Sequence, residues 1–379
     1  MDTTTEPAQR SGRAAVLRDY GADFEVKEFP RPDAEPGGLV VEIECATVCG
    51  SDVHAWQGHL AATLPITLPL ILGHEMTGRI IEIGKGADLD SVGQKLEVGD
   101  RVVWAHTPCG RCHECTVERE PVLCSKRYIG YLNDCSVPPH FTGSFAEYGI
   151  VRPAAGRIRV PDGVTSGWAS AGSCALRTVV RALSIAGPID SADTVVVQGA
   201  GPLGLFATAL LSLHEPRRLV VVGGPEDRLA VAREWGATHT VLVDPEADPA
   251  GRIDEVLDIT GRGASVAFEL AGAPGVVTEG VKMMARNGRY VVMGTLGGEP
   301  QPVHVATLVS RGISLRGSMS GEIGDYHTAM QLLDRYRTRF DWDKLLGNTY
   351  GLDGIADAMA AMRRMDEIKP VILPARPRG

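Results

Sequence analysis

Thr194-Val195-Val196-Val197-Gln198-Gly199-Ala200-Gly201-Pro202-Leu203-Gly204 is the stretch that decides the fold. A short apolar, β-branched run leads straight into G-x-G-x-x-G, and the motif opens an apolar segment, Leu203 to His214, that reads as a buried helix. Alone, the glycine pattern would be a weak signal in a chain with 45 glycines. A strand before it and a helix behind it make it a dinucleotide fingerprint. Gly199 permits the tight turn, Gly201 lets a pyrophosphate approach the backbone, and Gly204 lets helix and strand pack closely. Pro202 and Leu203 begin the helix, whose free N–H groups and positive dipole end face the phosphates.

Downstream, strand-like and helix-like runs alternate. Leu219 to Val222 is the next strand, Glu226 to Trp235 the next helix, and Thr240–Val243, Val266–Glu269 and Tyr290–Met293 continue the series. That alternation predicts a doubly wound parallel sheet, with Met293 at a strand end among the cofactor-binding residues. An NAD site should carry an acidic residue at the tip of its second strand. Here the tip reads Val222-Gly223-Gly224-Pro225-Glu226, so Gly223 borders the ribose without a carboxylate. Glu226 disfavours a 2′-phosphate and Arg228 favours one; the balance leans to NAD over NADP. Upstream, to roughly residue 175, runs such as Leu39–Ile43 and Gly78–Ile83 lie between Gly and Pro turn signals. They predict an irregular, barrel-like β region. With no repeat and no low-complexity linker, two closely packed domains with a cleft between them are expected.

The formal net charge of −9 and the lack of a long basic run argue against a nucleic-acid or acidic-membrane partner. Met1 to Gly12 lacks the apolar core of a secretory signal and reads as a disordered leader. The longest apolar stretch, Val195 to Leu213, is interrupted by Gln198, Pro202 and three glycines, which suits strand, turn and helix better than a membrane span. A cytoplasmic protein is expected, and in such a protein eight cysteines point to metal before disulfides.

Four of them, Cys109, Cys112, Cys115 and Cys124, form C-x2-C-x2-C-x8-C. Thiolates this close in sequence can wrap one Zn2+ tetrahedrally and close every coordination position, so this zinc is structural. A second set is dispersed: Cys49-Gly50-Ser51-Asp52-Val53-His54, Gly73-His74-Glu75, and Cys174. One histidine and two thiolates would leave a fourth zinc position open for a water or an alcohol. Sequence spacing alone does not join these residues.

Taken in order, the Cys49–Asp52 and Gly73–Glu75 motifs, Gly99-Asp100-Arg101-Val102, the four-cysteine lobe and Gly199–Gly204 resemble the medium-chain dehydrogenase superfamily, in particular its zinc-containing alcohol dehydrogenases. The resemblance covers nearly the whole chain. It implies an α/β protein: a GroES-like β-rich catalytic domain plus a Rossmann coenzyme domain with a doubly wound parallel sheet. The expected limits are 13–177 for the catalytic domain, with the zinc lobe at about 106–126, 178–317 for the Rossmann domain, and 318–379 for a return segment that opens just past Gly317.

Carried over residue by residue, Cys49, His74 and Cys174 would hold a catalytic zinc, giving two zinc ions per chain with the lobe. Ser51 would bond the substrate oxygen and begin a proton relay with His54 as its outer member; Asp52 would orient the ligand histidine. Glu75 would stand near the metal as an exchanging carboxylate, and Lys369 near the cofactor phosphates. The lobe has one more residue before Cys124 than the usual spacing, and Gly50 replaces a basic residue that some members set on the pyrophosphate.

Trp56 and His106 are expected to line the substrate pocket, and the long Tyr128–Phe141 loop to shape the pocket or a subunit contact. Cys45 and Cys135 are left over, and Cys45 reads as strand core. The implied reaction is hydride exchange between a neutral alcohol, secondary or cyclic, and NAD(P), in a homodimer or homotetramer. A polyol or amino-alcohol dehydrogenase, a carbonyl reductase and a catalytically silent zinc-binding relative are the alternatives.

Overall fold

The computed structural model describes residues 11–61, 64–294 and 300–375, which form two compact units. The first unit comprises the chain up to Cys174 together with Glu322–Arg337 and the residues from Leu345 onward; the second comprises Ala175–Gly321 and Thr338–Lys344.

In the first unit, β1 (Ser11–Val16) pairs antiparallel with β2 (Glu25–Pro30). A larger sheet is built from β3 (Leu39–Thr47), β4 (Met76–Ile83), β5 (Arg101–Trp104), β6 (Tyr148–Val151) and β7 (Arg157–Arg159). The run of β-branched and apolar residues in β3 lets it sit at the centre, paired antiparallel with both β4 and β6. Helix Ser166–Ala171, capped by the Thr165 hydroxyl, is followed by a π-helical turn over Gly172–Leu176. Such turns recur at functional sites, and this one carries Cys174.

The second unit contains β8 (Thr194–Gln198), β9 (Arg218–Gly223), β10 (His239–Leu242), β11 (Ala264–Glu269), β12 (Met284–Val292) and β13 (Ser314–Gly317). All neighbours are parallel, in the order β10-β9-β8-β11-β12-β13. Counted along this sheet, the order is third-second-first-fourth-fifth-sixth, the Rossmann arrangement, which reverses between β8 and β11. Central β8 is buried at all five positions, as expected for a strand covered on both faces. Helix Pro202–Ser212 follows it directly and is also mostly buried.

The chain then returns to the first unit, where β14 (Leu346–Tyr350) pairs parallel with β15 (Lys369–Ile372), and β15 pairs antiparallel with β3. This last pairing brings Lys369 beside the end of β3, deep in the unit. Among the described residues, no helix is long and apolar enough to cross a membrane.

Candidate active site and metal centres

The dispersed residues converge. Cys49 ends the loop after β3, His74 and Glu75 precede β4, and Cys174 comes from the π-helical turn. One ligand atom from each of Cys49, His74, Glu75 and Cys174 lies within 4.8 Å of all the others; Cys49, His74 and Glu75 are buried and Cys174 is partly so.

Asp52 organises two of these ligands. Its carboxylate is fully buried; Oδ1 accepts from His74 Nδ1 at 2.9 Å and from the Gly73 N–H at 3.2 Å, and Oδ2 accepts from the Cys49 N–H at 2.9 Å. With Nδ1 engaged, Nε2 of His74 is left to ligate. Burial disfavours the imidazolium, but Asp52 facing the ring raises its pKa well above the ordinary value. The Cys49 thiol is drawn well below its usual range, chiefly by a hydrogen bond from Cys174, whose own thiol is raised by the same contact. Two sulfurs and an imidazole fixed by a carboxylate are the chemistry of a zinc site with room for an exchangeable ligand.

Glu75 is the fourth member of this cluster. Its Oε2 accepts from Thr47 Oγ1 at 2.6 Å and from Lys369 Nζ, while Oε1 is buried with no hydrogen-bond partner. Burial pushes the Glu75 carboxyl up to about 7, against the pull of Lys369. Thr47 Oγ1 lies 2.9 Å from Ser170 Oγ, which donates to the Glu75 carbonyl. Lys369, expected at the cofactor phosphates, is therefore spent elsewhere: its side chain is 1% exposed and paired with Glu75. A buried ammonium requires a nearby counter-charge, and Glu75 supplies it. Lys369, Thr47 and Ser170 were not legible as a group. The available signal was a lysine opening the apolar run Pro370-Val371-Ile372.

Ser51 lies in the first turn of helix Gly50–Trp56, two residues after Cys49. His54, one turn on, is exposed, with Nδ1 3.4 Å from Nδ1 of His59. Desolvation first, and His59 second, lower the His54 pKa. Trp56 departs from expectation: its indole N–H donates to the Ala22 carbonyl at 2.8 Å and its ring joins the apolar core, so packing accounts for it. His106 does line a cavity, next to Tyr131.

The lobe gathers its four sulfurs as the spacing demands. Cys109, Cys112, Cys115 and Cys124 offer atoms within 4.8 Å of one another despite the longer approach to Cys124. Cys124 Sγ accepts from the Cys109 N–H at 3.3 Å. The Cys109 thiol is lowered to about 6, first by the Arg111 backbone N–H. Glu322 braces the lobe by accepting from the Val122 N–H at 2.5 Å.

At the glycine turn each position has a distinct physical reason. Gly199 has φ +116°, and a Cβ on Gly204 would stand 1.8 Å from the Gly199 carbonyl oxygen. A Cβ on Gly201 would meet nothing within 4 Å, leaving the helix N-terminus open where a pyrophosphate would approach. Pro202 and Leu203 form the first helical turn. Gly223 has no room for a side chain, since a Cβ would lie 2.7 Å from the Ala200 nitrogen. Glu226 pairs with Arg233, and Arg228 is only 7% exposed. Met293 is buried just past β12, its N–H bonded to the Glu269 carbonyl. The Glu269 carboxylate, unnoticed in the sequence, accepts from the N–H groups of Ala271, Gly272 and Gly294 and so ties together the loops after β11 and β12.

The chain's similarity to known proteins extends over its length. A family model described as the alcohol dehydrogenase GroES-like domain matches residues 35–162, and one described as zinc-binding dehydrogenase matches residues 202–335. The chain is 35% identical to 5-exo-hydroxycamphor dehydrogenase of Pseudomonas putida, over 95% of this chain and 98% of that protein. It is 28% identical to sorbitol dehydrogenase of Halalkalibacterium halodurans, over 96% and 99% respectively. Among solved structures, an alcohol dehydrogenase from Thermotoga maritima superposes with a TM-score of 0.88 at 30% identity, covering 97% of this chain and all 100% of that one.

Proposed function

Because the chain belongs to the zinc-containing alcohol dehydrogenases of the medium-chain superfamily, we propose that Cys49, His74 and Cys174 hold its catalytic zinc and that Ser51 and His54 form its proton relay. The protein is a zinc-dependent oxidoreductase acting on CH–OH groups, and it uses a nicotinamide cofactor. The convergence of Cys49, His74, Glu75 and Cys174 within 4.8 Å carries the assignment of the site.

When bound, zinc supplies Lewis acidity to the substrate oxygen and the nicotinamide supplies the hydride acceptor. The chain's own groups do the remainder. Asp52 holds His74 and the Cys49 backbone in register. Ser51 Oγ takes the proton leaving the substrate hydroxyl and passes it toward His54 and solvent. Glu75, anchored through one oxygen, keeps its unpartnered Oε1 available at the metal cluster. Gly199, Gly201, Pro202, Leu203 and Gly204 would hold the pyrophosphate of a bound dinucleotide, with Gly223 and Met293 beside it.

A second, structural zinc in the Cys109–Cys124 lobe completes the metal content. NAD is preferred to NADP: Arg228 is largely buried, whereas Glu226 stays exposed near the β9 tip, where it opposes a 2′-phosphate. The substrate is a neutral alcohol, secondary or cyclic. The domain limits we propose are 13–177, 178–317 and 318–379, which differ from the compact units at the junctions and at Thr338–Lys344. The fully exposed pattern of edge strand β13 supports a homodimer or a homotetramer built from it. Eight free cysteines, six of them in metal clusters, suit the reducing cytoplasm.

The decisive experiment follows reduced-cofactor formation with NAD and NADP in parallel, across primary, secondary, cyclic and polyol alcohols. Turnover of a neutral secondary or cyclic alcohol with NAD is expected. Turnover confined to polyols, or to NADP, would overturn the corresponding part of the reading.

A further inference from the structure

The Tyr128–Phe141 segment is fastened into the catalytic unit along its length. A Cβ on Gly130 would stand 2.2 Å from the Thr142 carbonyl oxygen, so glycine there lets the segment press against its own far end. The Leu132 carbonyl accepts from the Thr67 N–H at 3.0 Å, and the Cys135 N–H donates to the Pro69 carbonyl at 2.8 Å. Together these contacts hold Tyr131, 8% exposed, with its ring stacked on His74: the centroids are 4.6 Å apart and the planes 26° from parallel. His106 lies 5.6 Å from the same ring.

Tyr131 is also part of the wall of a solvent-open cavity lined in part by Gly73, the residue before ligand His74. Met76, Trp104, Tyr128 and Phe141 supply much of the remaining wall. No carboxylate and no lysine lines it among the described residues, and its one arginine, Arg152, lies stacked 4.3 Å above the Tyr128 ring. A polyol would need hydrogen-bonding partners along its length, and an amino acid alcohol would need fixed charges of both signs. The wall offers the hydroxyls of Thr107, Thr142 and Ser144 but, among the described residues, no pair of fixed opposite charges, which suits a neutral alcohol and not an amino acid alcohol.

We propose that Tyr131 is a specificity-determining residue: its ring stands between ligand His74 and the aromatic cavity, and the cavity takes the carbon body of a neutral cyclic alcohol. The assignment rests on the alcohol dehydrogenase reading above and narrows its substrate class. Stacked on His74 and flanked by His106, the ring is a fixed wedge whose volume limits how large a body can pass from the metal ligands into the cavity. Ala105, another residue of the cavity wall, offers a second position at which the space can be filled.

The test compares kcat/KM for ethanol, cyclohexanol and a bicyclic secondary alcohol in the zinc-loaded wild type and in Tyr131→Ala, Tyr131→Phe and Ala105→Phe. Binding of cyclohexanol is followed separately through tryptophan emission. Tyr131→Ala should raise the ratio of bicyclic alcohol to cyclohexanol about tenfold, and Tyr131→Phe, with nearly the same volume, should change it by less than about twofold. Ala105→Phe should lower the ratio of cyclohexanol to ethanol about tenfold and weaken cyclohexanol binding to match; it also keeps the test intact if Tyr131→Ala fails to fold. Unmoved ratios and unmoved binding in Ala105→Phe overturn the proposal. A wild type that binds cyclohexanol, with binding weakened in Ala105→Phe, but oxidises none of the alcohols leaves the cavity assignment standing and overturns the reading of the reaction instead.

Discussion

The two cysteine clusters use similar ligands to different ends. In the lobe, Cys109, Cys112, Cys115 and Cys124 lie within one short segment, the first three half-buried and Cys124 buried. Four thiolates would close the coordination sphere of a bound zinc, so that such a metal could only brace the fold. In the other cluster, Cys49, His74 and Cys174 come from separate segments and are buried, Cys174 partly, on a scaffold of Asp52, Thr47, Ser170 and Lys369. Here one carboxylate oxygen of Glu75 is left unpartnered beside the three residues proposed to hold zinc. A site that must exchange a ligand is held by the tertiary structure; a site that never does is held by its own loop.

The largest effect that would break this contrast is on turnover. His74→Ala or Cys174→Ala should lower kcat/KM by at least about a thousandfold and remove one zinc per chain, with the lobe zinc retained. Metal analysis beside steady-state kinetics checks it. Near wild-type turnover in either variant would remove that residue from the site.

The lobe should respond in the opposite sense. Cys112→Ser should release the lobe zinc and lower the Tm by roughly 10 °C, because metal binding there is folding energy. Turnover per remaining folded molecule should change by only a few fold. A collapse of kcat as deep as that of His74→Ala, with the Tm unchanged, would mean that the lobe metal takes part in the reaction.

What the sequence could and could not reveal follows the same division. The lobe was legible because its ligands lie at fixed short spacings, and the Rossmann turn because strand, glycines and helix are contiguous. The helix predicted over Leu203–His214 forms as Pro202–Ser212, and the strand predicted over Leu219–Val222 as Arg218–Gly223. The dispersed ligands could be joined only through the family's motif order. Lys369 shows where that route ends: its motif position suggested the phosphates, but β15 pairs with β3 and carries the ammonium to Glu75. Tyr131 was hidden for the same reason, since no local pattern tells that a residue in a long loop will stack on a histidine 57 positions earlier. Trp56 misled in the opposite direction, being close to the site in sequence but satisfied by the Ala22 carbonyl.

The smallest effect concerns the exit of the proton, where the buried site meets water. His54→Ala should slow turnover by about tenfold or less, since solvent can replace an outer relay member. The pH profile is more informative. Desolvation, and His59 after it, disfavour the charged form of His54, so its pKa lies below the ordinary imidazole value. As a proton acceptor His54 must be neutral, so activity is present above its pKa and is lost as pH falls through it. Replacing His59 with alanine removes one of the two lowering influences and also admits water to His54, and both changes act in the same direction. The acid limb of kcat/KM should therefore move upward in His59→Ala, toward the ordinary imidazole value, with the plateau nearly unchanged. An acid limb that stays fixed in His59→Ala but disappears in His54→Ala would leave His54 in the relay without its neighbour's influence. A limb unaffected by either substitution would take His54 out of the relay and leave Ser51 to pass its proton directly to solvent.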